Sequence, residues 1–226
     1  MQLRACFLVL AVALGACTTK DSVGLRQQIN FAPAPASDPE PLVSGSKAIA
    51  ATLKRGGYII YLRHGRTQYD QIDMERSNRN NGSFDLAQCS TQRQLSDAGR
   101  EELKVAGGQF RLAGVPLEKS YTSRYCRAIE SAAFFVDGAE PTQNLSGEGD
   151  VGKDPAQKAR TLAFLSQRPA PGKNIFMMAH GGIFWEATSF SIQEGHTVLL
   201  DPTNLNVIVA RIGPNEWGTV AQARSN

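Results

Sequence analysis

Short apolar runs alternate along this chain with stretches of helical periodicity. "YIIYL" (Tyr58–Leu62) and "NIFMMA" (Asn174–Ala179) are unbroken and too short for helices, so each predicts a strand buried on both faces. Weaker strands are predicted at Leu117–Thr122, Thr142–Leu145 and, last in the chain, Asn206–Ile212. Before the first of them Ile49, Ala50 and Leu53 recur at helical spacing and predict a helix over Ser46–Arg55, stopped by Gly56-Gly57. Leu103, Ala106, Phe110 and Leu112 mark one face of a long helix over Leu95–Ala113 that opens at Ser96. Further helices are predicted over Arg124–Val136, from Asp154 to about Ser166, and from Gly181 onward. Strands alternating with helices predict a three-layer α/β/α sandwich with a mostly parallel central sheet.

The first residues follow another pattern. "MQLRACFLVLAVALGACTTK" places Arg4 before an apolar stretch and then the small residues Gly15 and Ala16, the order of an export signal over residues 1–16. Leu14-Gly15-Ala16-Cys17 resembles the lipobox of bacterial lipoproteins. That resemblance implies a lipidated Cys17 as first mature residue and attachment to a membrane through the lipid. Thr18 follows where Asp would favour inner-membrane retention, which implies an outer-membrane protein facing the periplasm. Residues 17–45, with "APAPASDPEP" and no periodicity, are expected to be a flexible tether. Residues 46–226, roughly 180, suffice for one domain.

Charge excludes one class of partner. Of 24 Lys+Arg only Arg4 leaves with the signal, so against 21 Asp+Glu the net charge is about +2, too small for nucleic-acid binding. Arginine chemistry must therefore be local. Cys89 and Cys126 remain after Cys6 and Cys17 are assigned to export; their spacing makes no zinc site, and whether they pair is open at this level.

In parallel sheets ligands bind beyond the carboxyl ends of the strands. Three predicted strands end there in polar groups: Arg63-His64-Gly65, Thr122-Ser123-Arg124 with Arg127 a turn later, and His180-Gly181-Gly182. Two of the chain's three histidines thus follow its two most apolar strands. The third, His196, has no motif around it.

"LRHGRT" (Leu62–Thr67), "LSDAGR" (Leu95–Arg100), "TSRYCRAIESA" (Thr122–Ala132) and "MMAHGG" (Met177–Gly182) occur in the order of four blocks of the histidine phosphatase, or phosphoglycerate-mutase-like, superfamily, which the chain resembles over most of its globular part. The resemblance implies a phosphoglycerate-mutase-like fold and a phosphomonoester hydrolase with His64 as the nucleophile that takes up phosphorus. Arg63, Arg127 and His180 would surround the phosphoryl group, with Gly65, Arg66, Thr67 and Gly181 as further substrate contacts. Guanidinium groups stay ionised and match phosphate oxygens, so neither metal nor cofactor is implied. Arg124, three residues before Arg127, is an alternative phosphate ligand that the family pattern disfavours. Arg93 is a nearby-loop candidate for which solvent exposure is the favoured reading.

The family also uses a carboxylic acid to protonate the leaving oxygen. "NLSGEGDVGKDP" offers Glu148, preferred because Gly147 and Gly149 flank it, and Asp150 as competitor. Arg66 and Arg124 depart from the residues common at those family positions, and both add positive charge at the mouth. Expected substrates are a phosphorylated small molecule or an envelope glycolipid. Two alternatives stand beside hydrolysis: a non-catalytic lipoprotein that binds phosphorylated envelope components, and a mutase-type phosphotransferase.

Overall fold

A computed structural model describes residues 40–71, 86–147 and 155–225. The chain divides into two units, Met1–Pro33 and Ala34–Asn226, and all described residues belong to the second. The signal, Cys17, Glu148 and Asp150 lie outside the described residues.

Six strands form one sheet: β1 (Ile59–Arg63), β2 (Leu117–Ser123), β3 (Glu140–Thr142), β4 (Asn174–Ala179), β5 (Thr197–Asp201) and β6 (Asn204–Ile212), in the order β3-β2-β4-β1-β5-β6. The first four run parallel; β5 is antiparallel to both β1 and β6. β1 and β4, the two unbroken apolar runs, lie side by side at the centre, Ile59 opposite Ile175 through to Arg63 opposite Ala179.

Side chains of a strand alternate between faces, so each central strand feeds two cores. Ile60, Leu62, Phe176 and Met178 face one way and pack against α1 (Ser46–Arg55), α2 (Asp97–Ala113), α3 (Cys126–Phe135) and α6 (Trp217–Ser225). Ile59, Tyr61, Ile175 and Met177 face the other way, against α4 (Pro155–Leu165) and α5 (Gly181–Thr188). This is the expected α/β/α sandwich.

Several details differ from the sequence expectation. Leu112 does not share the buried face of α2: it is 73% exposed, and Ala113 is buried in its place. The edge strand β3 begins two residues early and ends at Thr142, whose hydroxyl accepts the Asn144 N–H at 3.3 Å and turns the chain into a 3₁₀ turn over Gln143–Leu145. β5 and α6 were not anticipated. Asp201 Oδ1 accepts both the N–H and the hydroxyl of Thr203, folding β5 back onto β6. The fully buried Trp217 of α6 meets Phe110 edge-on at 5.0 Å. The packed chain also starts before Ser46, since the Leu42 and Val43 N–H groups donate to Ile208 and Val209 of β6.

Cys89 and Cys126 are joined by a disulfide, with Cα atoms 5.6 Å apart. It ties the segment before α2 to the first residue of α3.

Candidate functional site

The central strands β1, β4 and β2 end together, and their exits carry the histidines and arginines singled out from the sequence. The His64 N–H donates to the Ala179 carbonyl, continuing the ladder one residue past β1. His180 caps α5, and its carbonyl accepts the hydroxyl of the buried Tyr61 at 2.8 Å. The two imidazoles face each other with centroids 5.2 Å apart, His64 being 2% and His180 9% exposed.

Hydrogen bonding fixes the form of the His64 ring and anchors that of His180. His64 Nδ1 lies 2.9 Å from the Gly65 carbonyl. A carbonyl only accepts, so Nδ1 carries the proton and the neutral ring keeps its lone pair on Nε2. His180 Nε2 lies 2.7 Å from Ser123 Oγ, which already accepts the Tyr125 N–H at 3.3 Å. The serine hydroxyl keeps a second lone pair and its own proton, so it pairs with Nε2 as acceptor or as donor in either tautomer of His180. His180 Nδ1 is buried and has no hydrogen-bond partner among the described residues, nor has Arg63 Nε. Unsatisfied buried polar nitrogens are costly, and that of Arg63 is a donor that suits an anionic ligand.

The cations are anchored from different elements. Arg63 donates from Nη1 to the Ile192 carbonyl at 3.0 Å and from Nη2 to Glu194 Oε1 at 3.0 Å, and its side chain lies across Gly181, where a methyl group would meet it at 3.1–3.3 Å. Arg127 of α3 is 6% exposed, its guanidinium 4.5 Å from the Tyr125 ring centre, and that ring in turn stands edge-on to His180 at 4.9 Å. Arg124 is exposed, so Arg127 is the helix arginine that lies with the histidines. Ser131 links α3 to the first loop, accepting the Gly65 N–H at 3.1 Å and donating to the Arg127 carbonyl at 2.6 Å.

Both imidazoles are held well below the ordinary histidine range. Burial is the largest cause for each, followed by the Arg127 charge, with Arg63 and Arg93 adding to it. For His64 the Gly65 carbonyl opposes this shift without overcoming it. Burial also lowers Arg63, opposed by Glu194.

The remaining candidates divide. Thr67 reaches the site's edge, its N–H and hydroxyl both donating to Glu194 at 3.2 and 3.1 Å. Arg66 is 55% exposed along its side chain and pairs with Glu102 of α2 at 3.3 Å. His196 is held at the backbone, its carbonyl accepting the Arg63 N–H at 3.1 Å. Arg93 differs from its favoured reading: its side chain is 30% exposed and its Nη2 lies 3.7 Å from Glu194 Oε1. Glu194 itself was missed. It lies in the α5–β5 loop without a motif, and only its position below Arg63, Thr67 and Arg93 reveals it.

No protein-family model matches the sequence, and no curated protein matches it. Solved structures with a similar fold include the protein histidine phosphatase SixA complexed with tungstate (TM-score 0.47, 16% identity, 70% of this chain and 98% of that one). Phosphoglycerate mutase from Thermus thermophilus gives a TM-score of 0.46 at 16% identity, over 69% of this chain and 98% of that one. The protein TTHB049 of the same organism gives 0.45 at 17%, over 69% and 99%. These are likenesses of fold alone.

Proposed function

We propose that the protein is a phosphomonoester hydrolase working through a phosphohistidine at His64. The observation that supports this most strongly is a buried, neutral imidazole whose Nε2 lone pair is left free by the Gly65 hydrogen bond, opposite His180 and between two arginines. A phosphomonoester brings about two negative charges. Arg63, Arg127 and His180 would hold its oxygens, and the N-terminus of α5 adds favourable potential. His64 Nε2 attacks phosphorus and the P–O ester bond breaks. The leaving oxygen keeps the bonding pair and takes a proton from a carboxylic acid, for which Glu148 or Asp150 are the candidates. Water then attacks the phosphohistidine, restoring neutral His64 and releasing phosphate. Charge on the transferring group is met by groups already in place, each worth on the order of 10²–10³ in rate.

The signal and lipobox pattern of residues 1–17 and the Cys89–Cys126 disulfide, a bond typical of oxidising compartments, favour a lipid-anchored protein of the cell envelope acting on a phosphorylated envelope or periplasmic compound. A purely binding role would leave the free Nε2 of His64 without a purpose. The test is hydrolysis of p-nitrophenyl phosphate with chelator present. Wild type is expected to release nitrophenol and His64→Ala to release none; equal rates would remove His64 from the reaction.

A further inference from the structure

The residues that leave β1 are clamped by a turn over Gln193–His196. The His196 N–H donates to the Gln193 carbonyl at 3.1 Å, and Gly195 within the turn has φ +77°, a left-handed conformation that favours glycine. Backbone hydrogen bonds register this turn against the strand exit. The Arg63 N–H donates to the His196 carbonyl at 3.1 Å, and the Gly195 N–H is shared between the Arg63 and His64 carbonyls at 3.2 and 2.9 Å. The place of Glu194 is therefore set by main chain and does not depend on its own side chain.

From that place the loop takes both terminal nitrogens of Arg63. Nη1 donates to the Ile192 carbonyl and Nη2 to Glu194 Oε1, each at 3.0 Å. The same carboxylate accepts the Thr67 hydroxyl on Oε1 at 3.1 Å and the Thr67 N–H on Oε2 at 3.2 Å. Arg93 Nη2 stands 3.7 Å from Oε1 as well. Glu194 thus ties together the two ends of the span Arg63–Thr67 that carries His64. Of the three guanidinium nitrogens of Arg63 only Nε, which is buried, has no hydrogen-bond partner among the described residues. Burial works against the charge of Arg63, and Glu194 opposes that effect.

We propose that Glu194 is the positioning residue for Arg63: it holds the guanidinium by Nη2 so that the Nε–H is presented to a phosphoryl oxygen, and it acts on the ligand only through Arg63. This rests on the phosphate-binding reading of the site. An arginine already fixed at its far end gives up less freedom when the anion arrives, and its charge stays paired in the buried site before then.

The test is a double-mutant cycle of Glu194→Ala and Arg63→Ala in the full chain, read by calorimetric titration with inorganic phosphate. Glu194→Ala is expected to weaken phosphate binding about tenfold, and Glu194→Gln, which keeps an acceptor oxygen for Arg63, to recover part of the loss. In the Arg63→Ala protein the carboxylate has nothing left to position, so adding Glu194→Ala is expected to leave phosphate binding unchanged or to tighten it. Nitrogen NMR of wild type should show the Arg63 Nε signal moving as phosphate is added. Unchanged affinity in Glu194→Ala, a second tenfold loss in the Arg63→Ala background, or an Nε signal that phosphate leaves in place would each overturn the proposal. The second of these would mean that Glu194 supports the loop and not the guanidinium. A wild type that binds no phosphate would remove the phosphate-binding reading and this role with it. An intact coupling in a protein that hydrolyses no p-nitrophenyl phosphate would remove the reaction and leave Glu194 in its role.

Discussion

Acidification tests the neutral imidazoles on which the proposed chemistry depends. In the folded protein His64 and His180 are both held well below the ordinary value of 6.5, by burial and by Arg127. The unfolded chain has neither constraint, so below about pH 6.5 it binds protons that the folded state refuses. Stability rises with pH wherever the unfolded state binds more protons, and it must therefore fall as the pH drops from 6.5 towards the depressed folded values. The limiting slope is about 1.4 kcal/mol per pH unit for each histidine. Between pH 7 and 5.5 each ring that stays neutral costs about 1 kcal/mol, so the pair costs roughly 2–3 kcal/mol, a sizeable part of a total of about 5–15 kcal/mol. The assay is urea unfolding of wild type and His64→Asn at half-unit pH steps. Asparagine does not titrate, so the variant is expected to lose about half of this dependence, while groups common to both proteins cancel in the difference. Parallel curves would show that His64 takes up a proton as readily when folded as when unfolded, and the electrostatic description of the site would be wrong.

Arg127→Ala removes a cation close to both rings, and kcat/KM for p-nitrophenyl phosphate is expected to fall by about 10²–10³. Because Arg127 lowers His64, the acid limb of the residual activity should also move to higher pH. Ser123→Ala leaves His180 Nε2 without its hydrogen-bond partner at 2.7 Å. Nitrogen NMR of the His180 ring should then show a shifted Nε2 signal, with kcat/KM lowered about tenfold or more; an unchanged spectrum would show that Ser123 does not hold the ring. Replacing both Cys89 and Cys126 by serine opens a cross-link between residues 37 apart. Loop-closure entropy puts the cost at about 4 kcal/mol, which thermal unfolding should register as a drop of about 10 °C.

Legibility in the sequence follows burial and periodicity. β1 and β4 could be read because strands buried on both faces must be apolar throughout, and the residues after them stood out as polar by contrast. β5, "TVLLD", is apolar only over Val198–Leu200 and belongs to a hairpin set by the Asp201 side chain, so its run was not read as a strand. α6 begins "WG" and has little amphipathic pattern, since it is held chiefly by Trp217 against Phe110. His64, His180, Arg63 and Arg127 could be grouped from the sequence because each lies at a strand exit or one turn beyond it. Glu194 and Arg93 come from loops, and loop residues meet only through tertiary contacts that no local pattern encodes. The disulfide was open for the same reason: its formation depends on a Cα separation that only the folded chain defines.

The central claim is that His64 accepts phosphorus covalently through Nε2. Its most direct measurement is rapid quenching of wild type and His64→Ala with a ³²P-labelled phosphomonoester, followed by peptide mapping under alkaline conditions. The account requires an acid-labile, alkali-stable label on the peptide containing His64 and none in the variant. Turnover at the wild-type rate in His64→Ala, or a label carried by another residue, would contradict it.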